Sequence, residues 1–319
     1  MKKLIVGLAF SFCISLSVCI EVSTSAMAET LSAYSPQTSS DTNPKVSPQI
    51  SPKTPPQIMP KMTARNGYVE PFKMFDNVYY VGDKWVSSYA VVTSSGLVLI
   101  DTLEFPFSQW IPVNLKKLGL ADKSVTHLIV THGHTDHVGG AAYLQNLYGA
   151  DVIITEKGQK LAIAQAAKSK GESKFLPPNP KSFVQDSSSL MVGYTEFKFY
   201  ITPGHTAGDL SVDFMVKDRG KEYRAFVVGG HSPNLQNASL AAAFKTSMAR
   251  IKALAGQSPE VTVNLANHPH KNNLFKNRDR TSLQAGDDAA VNPFVDQADF
   301  YRFIQQQESL AVETEIKSN

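Results

Sequence analysis

From about Gly67 onward, apolar residues fall in short runs separated by turn signals, the pattern of a packed sheet protein. "VYYVG" (78–82), "YAVVT" (89–93) and "LVLID" (97–101) predict strands, and "SSG" between the last two predicts a hairpin turn. A helix is expected over 108–120, closing near Gly119, and "VTHLIV" (125–130) predicts a buried strand. Val138, Ala141, Leu144 and Leu147 follow at helical spacing, and "DVIIT" (151–155) returns to strand, so strand, helix and strand form a crossover. The second half repeats the theme. "EFKFYIT" (196–202), "LSVDFMV" (210–216) and "YRAFVVG" (223–229) predict strands. Leu240, Phe244, Met248, Ile251 and Leu254 mark a helix stopping at Gly256, and "VTVNLA" (261–266) and a C-terminal helix capped by Asp296 complete the chain. Two halves, each with sheet and helices, predict an α/β layered sandwich with helices outside two packed sheets.

The residues before Gly67 do not share this pattern. Met1-Lys2-Lys3, an apolar run from Leu4 to Ile20 and Ala26-Met27-Ala28 predict a signal peptide over 1–28 and export to the periplasm or outside the cell. Residues 29–64 hold seven of the 18 prolines among Ser, Gln and Lys, and predict a disordered linker ahead of a catalytic domain over 65–319. The apolar fraction is 42%, that of an ordinary globular protein. The formal charge of +3 falls to about +2 once Lys2, Lys3 and Glu21 are removed with the first 28 residues. That balance argues against nucleic acid or an anionic membrane as partner; a monomer acting on a small molecule, with no stable membrane insertion after cleavage, is expected.

The chemistry is concentrated in "VTHLIVTHGHTDHVGGAA" (125–142), where His132, His134, Asp136 and His137 lie within six positions after an apolar strand. Cys13 and Cys19 are the only cysteines and both fall in the expected signal peptide, so a metal site in the mature chain must use His, Asp and Glu. A catalytic metal needs about three protein ligands and an open position. Four ligands in one short segment therefore suggest more than one ion. If the segment stays extended after Val130, His132, His134 and Asp136 project to one side and His137 to the other, which does not by itself assign ligands. His205 and His268 also follow apolar runs, "FYITPG" and "VTVNLAN". The count then becomes three and three: His132, His134 and His205 for one zinc, Asp136, His137 and His268 for a second.

"THGHTDHVGG" (131–140) and "TPGHTAGDLS" (202–211) together resemble the metallo-β-lactamase superfamily. The resemblance implies the four-layer αβ/βα sandwich with a dinuclear Zn2+ site at one edge. More narrowly, the chain resembles the third subclass of metallo-β-lactamases, whose second zinc is held by Asp-His-His; the other two subclasses place a cysteine there. "EPFKMFDNVYYVG" (70–82) and "NPFVDQADFYRFI" (292–304) extend the likeness over about 65–319. "HSPN" (231–234) lies where members of the subclass contact the substrate carboxylate, which implies Ser232 and Asn234 as substrate-binding residues. Gly133 and Val138 replace usual alanines, and Asp209 stands where a small or hydroxyl residue is usual. In "VVGGHS", Gly229-Gly230 replaces the Gly-Asp whose carboxylate bridges the metals in lactonases and glyoxalase-type thioesterases, where His231 would be an unusual substitute ligand.

The resemblance implies hydrolysis of the β-lactam ring of penicillins, cephalosporins and carbapenems by a water activated at the two zinc ions, with Asp136 orienting it, an activity of antibiotic resistance. An exported lactonase or esterase of the same fold is the alternative, since fold and metal do not fix substrate. A non-catalytic zinc- or β-lactam-binding protein is the third reading. His127 is expected on a sheet face, His270 beside the site or exposed, and Trp85 and Lys84 at a loop tip or on the rim of the site.

Overall fold

The computed structural model describes residues 59–284, 286–287 and 290–318, with side chains as far as residue 312. The expected signal peptide, and the expected linker as far as residue 58, lie outside the described residues. Beyond that point, Trp110 Nε1 donates to the Pro60 carbonyl at 2.8 Å.

Six strands form one sheet in chain order: β1 (Phe72–Phe75), β2 (Val78–Tyr80), β3 (Tyr89–Thr93), β4 (Gly96–Ile100), β5 (Val125–Ile129) and β6 (Asp151–Ile153). The first four pair antiparallel, and β4, β5 and β6 run parallel. The second sheet has the order β11-β10-β9-β8-β7, from β7 (Ser189–Val192), β8 (Thr195–Ile201), β9 (Leu210–Asp218), β10 (Lys221–Val227) and β11 (Val261–Asn264). The helices are α1 (Trp110–Lys117), α2 (Thr135–Val138), α3 (Ala141–Tyr148), α4 (Glu156–Lys168), α5 (Ala238–Ala255), α6 (Leu274–Leu283) and α7 (Gln297–Ser318).

Strand periodicity explains the layering. In β4, Val98 and Ile100 point into the core between the sheets, while Leu97 and Leu99 point the other way, under the helices. The inner core joins Phe75, Tyr80 and Val91 of one sheet to Phe197, Val212 and Phe214 of the other. Ile111, Leu115, Leu144 and Ala162 cover the outside of the first sheet, and Phe244, Met248, Phe300 and Ile304 cover that of the second. The architecture is the αβ/βα sandwich that the sequence implied.

Most predicted elements are present with ends shifted by a few residues. Asp296 caps α7 as expected, its Oδ1 accepting from Asp299 N at 3.0 Å. The helix expected from Val138 to Leu147 is instead two, α2 and α3, and Leu147 is exposed. Three elements that the hydrophobic pattern does not predict, α4, β7 and α6, have weak apolar faces. α4 starts because Thr155 Oγ1 caps it, accepting from Gly158 N at 2.9 Å.

Inside the second sheet, Arg224 on β10 and Asp213 on β9 form a buried bidentate pair, Nη2 to Oδ2 at 2.6 Å, and Arg224 Nη1 donates to the carbonyls of Gln257 and Pro259. Removing one partner leaves a charge without a counter-ion in a dry place. Arg224→Met is therefore expected to cost about 3–5 kcal/mol, read by urea unfolding, whereas removal of both charges together should cost less. An unchanged midpoint in Arg224→Met would mean the pair contributes nothing.

Candidate metal centre

The two sheets meet at one edge, where Leu210 N at the start of β9 donates to Thr131 O just past β5 at 2.7 Å. The loops leaving both sheets converge there. After β5 the chain stays extended only as far as His134, which has ψ 151°, and then turns helical at Thr135. The expectation of an extended segment through His137 is thus corrected. The turn carries Asp136 away from His132 and His134 and over to the side of His137. Gly133 is needed because a Cβ there would stand 2.3 Å from the carbonyl of Gly158, at the start of α4.

His132 Nε2 and His205 Nε2 each lie 3.1 Å from His134 Nδ1. His137 Nε2 lies 3.1 Å from both His268 Nε2 and Asp136 Oδ2, and His268 Nε2 lies 3.6 Å from that oxygen. Tetrahedral ligands about 2.0–2.1 Å from a zinc ion are about 3.3 Å apart, so each triad has the spacing of a metal's ligand shell. In each set, one donor atom per residue lies within 4.8 Å of the others. The fold gathers His132, His134 and His205 into one group and Asp136, His137 and His268 into the other. The rings of His132 and His137, one from each set, lie 4.2 Å apart, so the two sets adjoin.

Acceptors behind the rings fix their tautomers. His132 Nδ1 donates to Gly229 O at 2.9 Å, His137 Nδ1 to Asp101 Oδ2 at 2.8 Å, His268 Nδ1 to Trp85 O at 2.7 Å and His205 Nδ1 to Ser232 O at 3.2 Å. Each leaves Nε2, lone pair outward, toward its set, the arrangement that orients metal-binding imidazoles. His134 is reversed and presents Nδ1. Metal binding also requires neutral imidazole. Burial, reinforced by neighbouring imidazoles, holds His132 well below the ordinary histidine range and His205 and His268 at about 4. His137 differs: burial disfavours its cation, but Asp136 and Asp101 on either side outweigh that and raise it to about 10. Burial raises Asp136, but His137 beside it more than compensates, and its carboxyl stays ionised far below the usual range.

The remaining residues named from the sequence frame the centre. Ser232, at φ 68°, supplies its carbonyl to His205, and Asn234 holds the same loop, its Oδ1 accepting from Gln236 N at 3.0 Å and its Nδ2 facing His205 O at 3.5 Å. Asp209 is fully buried beneath that loop, its carboxylate accepting from His205 N and Thr206 N at 2.9 Å and from Thr206 Oγ1. His127 lies half-buried on its strand and pairs with Thr126 Oγ1 at 2.9 Å. Trp85 does stand at the rim, half exposed, and its backbone carbonyl anchors His268. Asp101 is the residue the sequence reading missed. It is 1% exposed and accepts from Thr131 N at 2.8 Å, Thr131 Oγ1 at 2.9 Å and His137 Nδ1 at 2.8 Å. The available signal was a carboxylate closing the otherwise apolar run "LVLID" beside the strand that leads to the histidines.

Residues 82–218 match the family model described as Metallo-beta-lactamase superfamily, a span that holds five of the six donors and ends before His268. Over that span the chain is similar to the metallo-β-lactamase superfamily. In three dimensions it is similar to a subclass B3 metallo-beta-lactamase of Bradyrhizobium japonicum, with TM-score 0.68 and 24% identity over 80% of this chain and 98% of that one; this likeness establishes the shared fold. It is also similar to a metallo-beta-lactamase of Cronobacter sakazakii, with TM-score 0.64 and 26% identity over 78% of this chain and 95% of that one. Among curated proteins, "Beta-lactamase-like protein 2 homolog" of Caenorhabditis elegans is 27% identical over 126 residues, 40% of this chain. That match spans 39% of the curated relative's length.

Proposed function

We propose that this protein is a zinc-dependent hydrolase that opens β-lactam rings, acting after export. The observation that carries the reading is the pair of adjoining donor triads, His132–His134–His205 and Asp136–His137–His268, built without a thiol. Zinc ions held there would supply Lewis-acid polarisation of a carbonyl and lower the pKa of a water toward about 7.

The chain's own groups do the rest. His132 and His137 lie fully buried at the floor, while His134, His205, His268 and Asp136 are only partly covered, so the donors open on one side to the solvent. Asp136, ionised and a third exposed, orients the attacking water. Ser232 stays the candidate for the substrate carboxylate, because its hydroxyl has no hydrogen-bond partner among the described residues. Both polar side-chain atoms of Asn234 already face backbone partners, Oδ1 in its own loop and Nδ2 in the loop of His205. Gly229-Gly230 brings no carboxylate between the two triads, which distinguishes this centre from one bridged by an aspartate.

The test is turnover of a chromogenic cephalosporin against that of an acyl lactone, each with and without chelator, with zinc content measured in parallel. Dominant β-lactam hydrolysis, lost to the chelator and restored by zinc, is expected. Dominant lactone turnover would replace this reading with a lactonase, and stoichiometric zinc with no turnover would replace it with a binding protein.

A further inference from the structure

We infer that His231 is a ligand of the second metal ion, added to Asp136, His137 and His268. The inference rests on the two-ion reading above. His231 comes just after the end of β10, where the chain passes very close to the loop of His205. A Cβ on Gly230 would stand 2.5 Å from His205 Cβ and 3.0 Å from the Asp209 carboxylate. No side chain fits at Gly230, and the first one beyond it is the imidazole of His231.

That ring lies between the two donor sets. It stacks parallel to His205, with centroids 5.9 Å apart and planes 9° from parallel, and meets His268 edge-on with centroids 4.6 Å apart. Its Nδ1 is buried and has no hydrogen-bond partner among the described residues. The contrast with its neighbours is informative, because His132, His137, His205 and His268 each give their outer nitrogen to a fixed acceptor. An unpartnered buried nitrogen is destabilising, and coordination to a cation is one way to offset that cost.

His231 is not among the atoms that already converge within 4.8 Å, so a turn of its side chain about χ1 and χ2 is what brings a ring nitrogen to the ion. Three protein ligands leave a zinc ion an open position, whereas a fourth completes a tetrahedron. His231 therefore acts on retention of the second ion and leaves the first unaffected.

The experiment titrates the metal-free full chain with zinc and with cobalt(II), for wild type, His231→Ala and His231→Cys. Affinities come from competition with a chelator, and the ligand set from the visible spectrum of the cobalt protein. Loss of this ligand is expected to weaken the second ion by at least about 10-fold in His231→Ala, since even groups behind a ligand are worth about that much. The first ion should bind as before. His231→Cys should keep the second ion and add a thiolate-to-cobalt charge-transfer band, wild type with its own Cys13 and Cys19 being the blank. If His231→Ala does not fold, the cysteine band decides. Two ions bound by His231→Ala as tightly as by wild type, or a cysteine protein with no new band, would overturn the assignment while leaving the two-ion reading intact. A wild type that takes up only one ion would overturn both.

Discussion

His132→Ala is expected to lose the first metal ion and, with it, at least about 10^3-fold in kcat/KM toward a β-lactam. That factor corresponds to about 4 kcal/mol of transition-state stabilisation, within the several kcal/mol that Lewis-acid polarisation and water activation supply. The reason is geometric. Without His132 Nε2, only His134 Nδ1 and His205 Nε2 remain in the first triad, and two imidazoles are one ligand short of a catalytic zinc site. His132 is also 1% exposed, so truncation leaves a cavity, while Gly229 O, to which its Nδ1 donates, keeps Asn267 Nδ2 as a donor at 3.2 Å. Urea unfolding of the variant and of chelator-treated wild type separates loss of metal from loss of fold. Full hydrolysis and unchanged zinc content in a folded His132→Ala would remove this triad from the mechanism.

Asp101→Ala is expected to lower stability by about 3–5 kcal/mol in the presence of chelator and to weaken the second ion by about 10–100-fold. Asp101 lies behind the second donor set, and His137 is the only one of the six donors it touches. Its removal orphans Thr131 N, Thr131 Oγ1 and His137 Nδ1 in a dry interior, each at a cost of about 1–3 kcal/mol with incomplete additivity. His137 loses both the acceptor that sets its tautomer and one of the two carboxylates that raise it to about 10. Asp101 also has φ 60°, where alanine costs about 1–2 kcal/mol more and asparagine is tolerated. Asp101→Asn therefore separates backbone strain from loss of the charge and should recover only the strain part. Metal affinity equal to wild type in both variants would show that the carboxylate does not orient His137.

The donors themselves were legible in the sequence because of chemical exclusion. With both cysteines in the first 19 residues, the candidate ligands were limited to His, Asp and Glu, and five histidines and Asp136 were clustered after, or closed, apolar runs; Asp101 closes one too and was passed over. His205 and His268, far from the cluster in sequence, could be named for the same reason. Strands with strict alternation were equally legible, since burial on a sheet has a period of two that the residues must follow. Elements whose burial is slight, such as α4 and α6, left little pattern to read, and their existence depends on caps and tertiary neighbours.

The sequence by itself determined the layered α/β architecture and offered the six candidate donors, because periodicity and ligand chemistry are properties of residue type and spacing; their division into two triads came from counting ligands, since strand alternation alone would have placed Asp136 with His132 and His134. Only the tertiary structure decided the path that realises that division, the turn at Thr135 that carries Asp136 to His137. It also decided that Asp101, Gly229, Trp85 and Ser232 stand behind the rings. Three of those four act through backbone carbonyls, which every residue carries, so no side-chain pattern could have marked them. His231 lies between these two levels: its residue type was visible in "GGHS", but its unpartnered nitrogen beside His268 exists only once β10 and β11 are packed side by side.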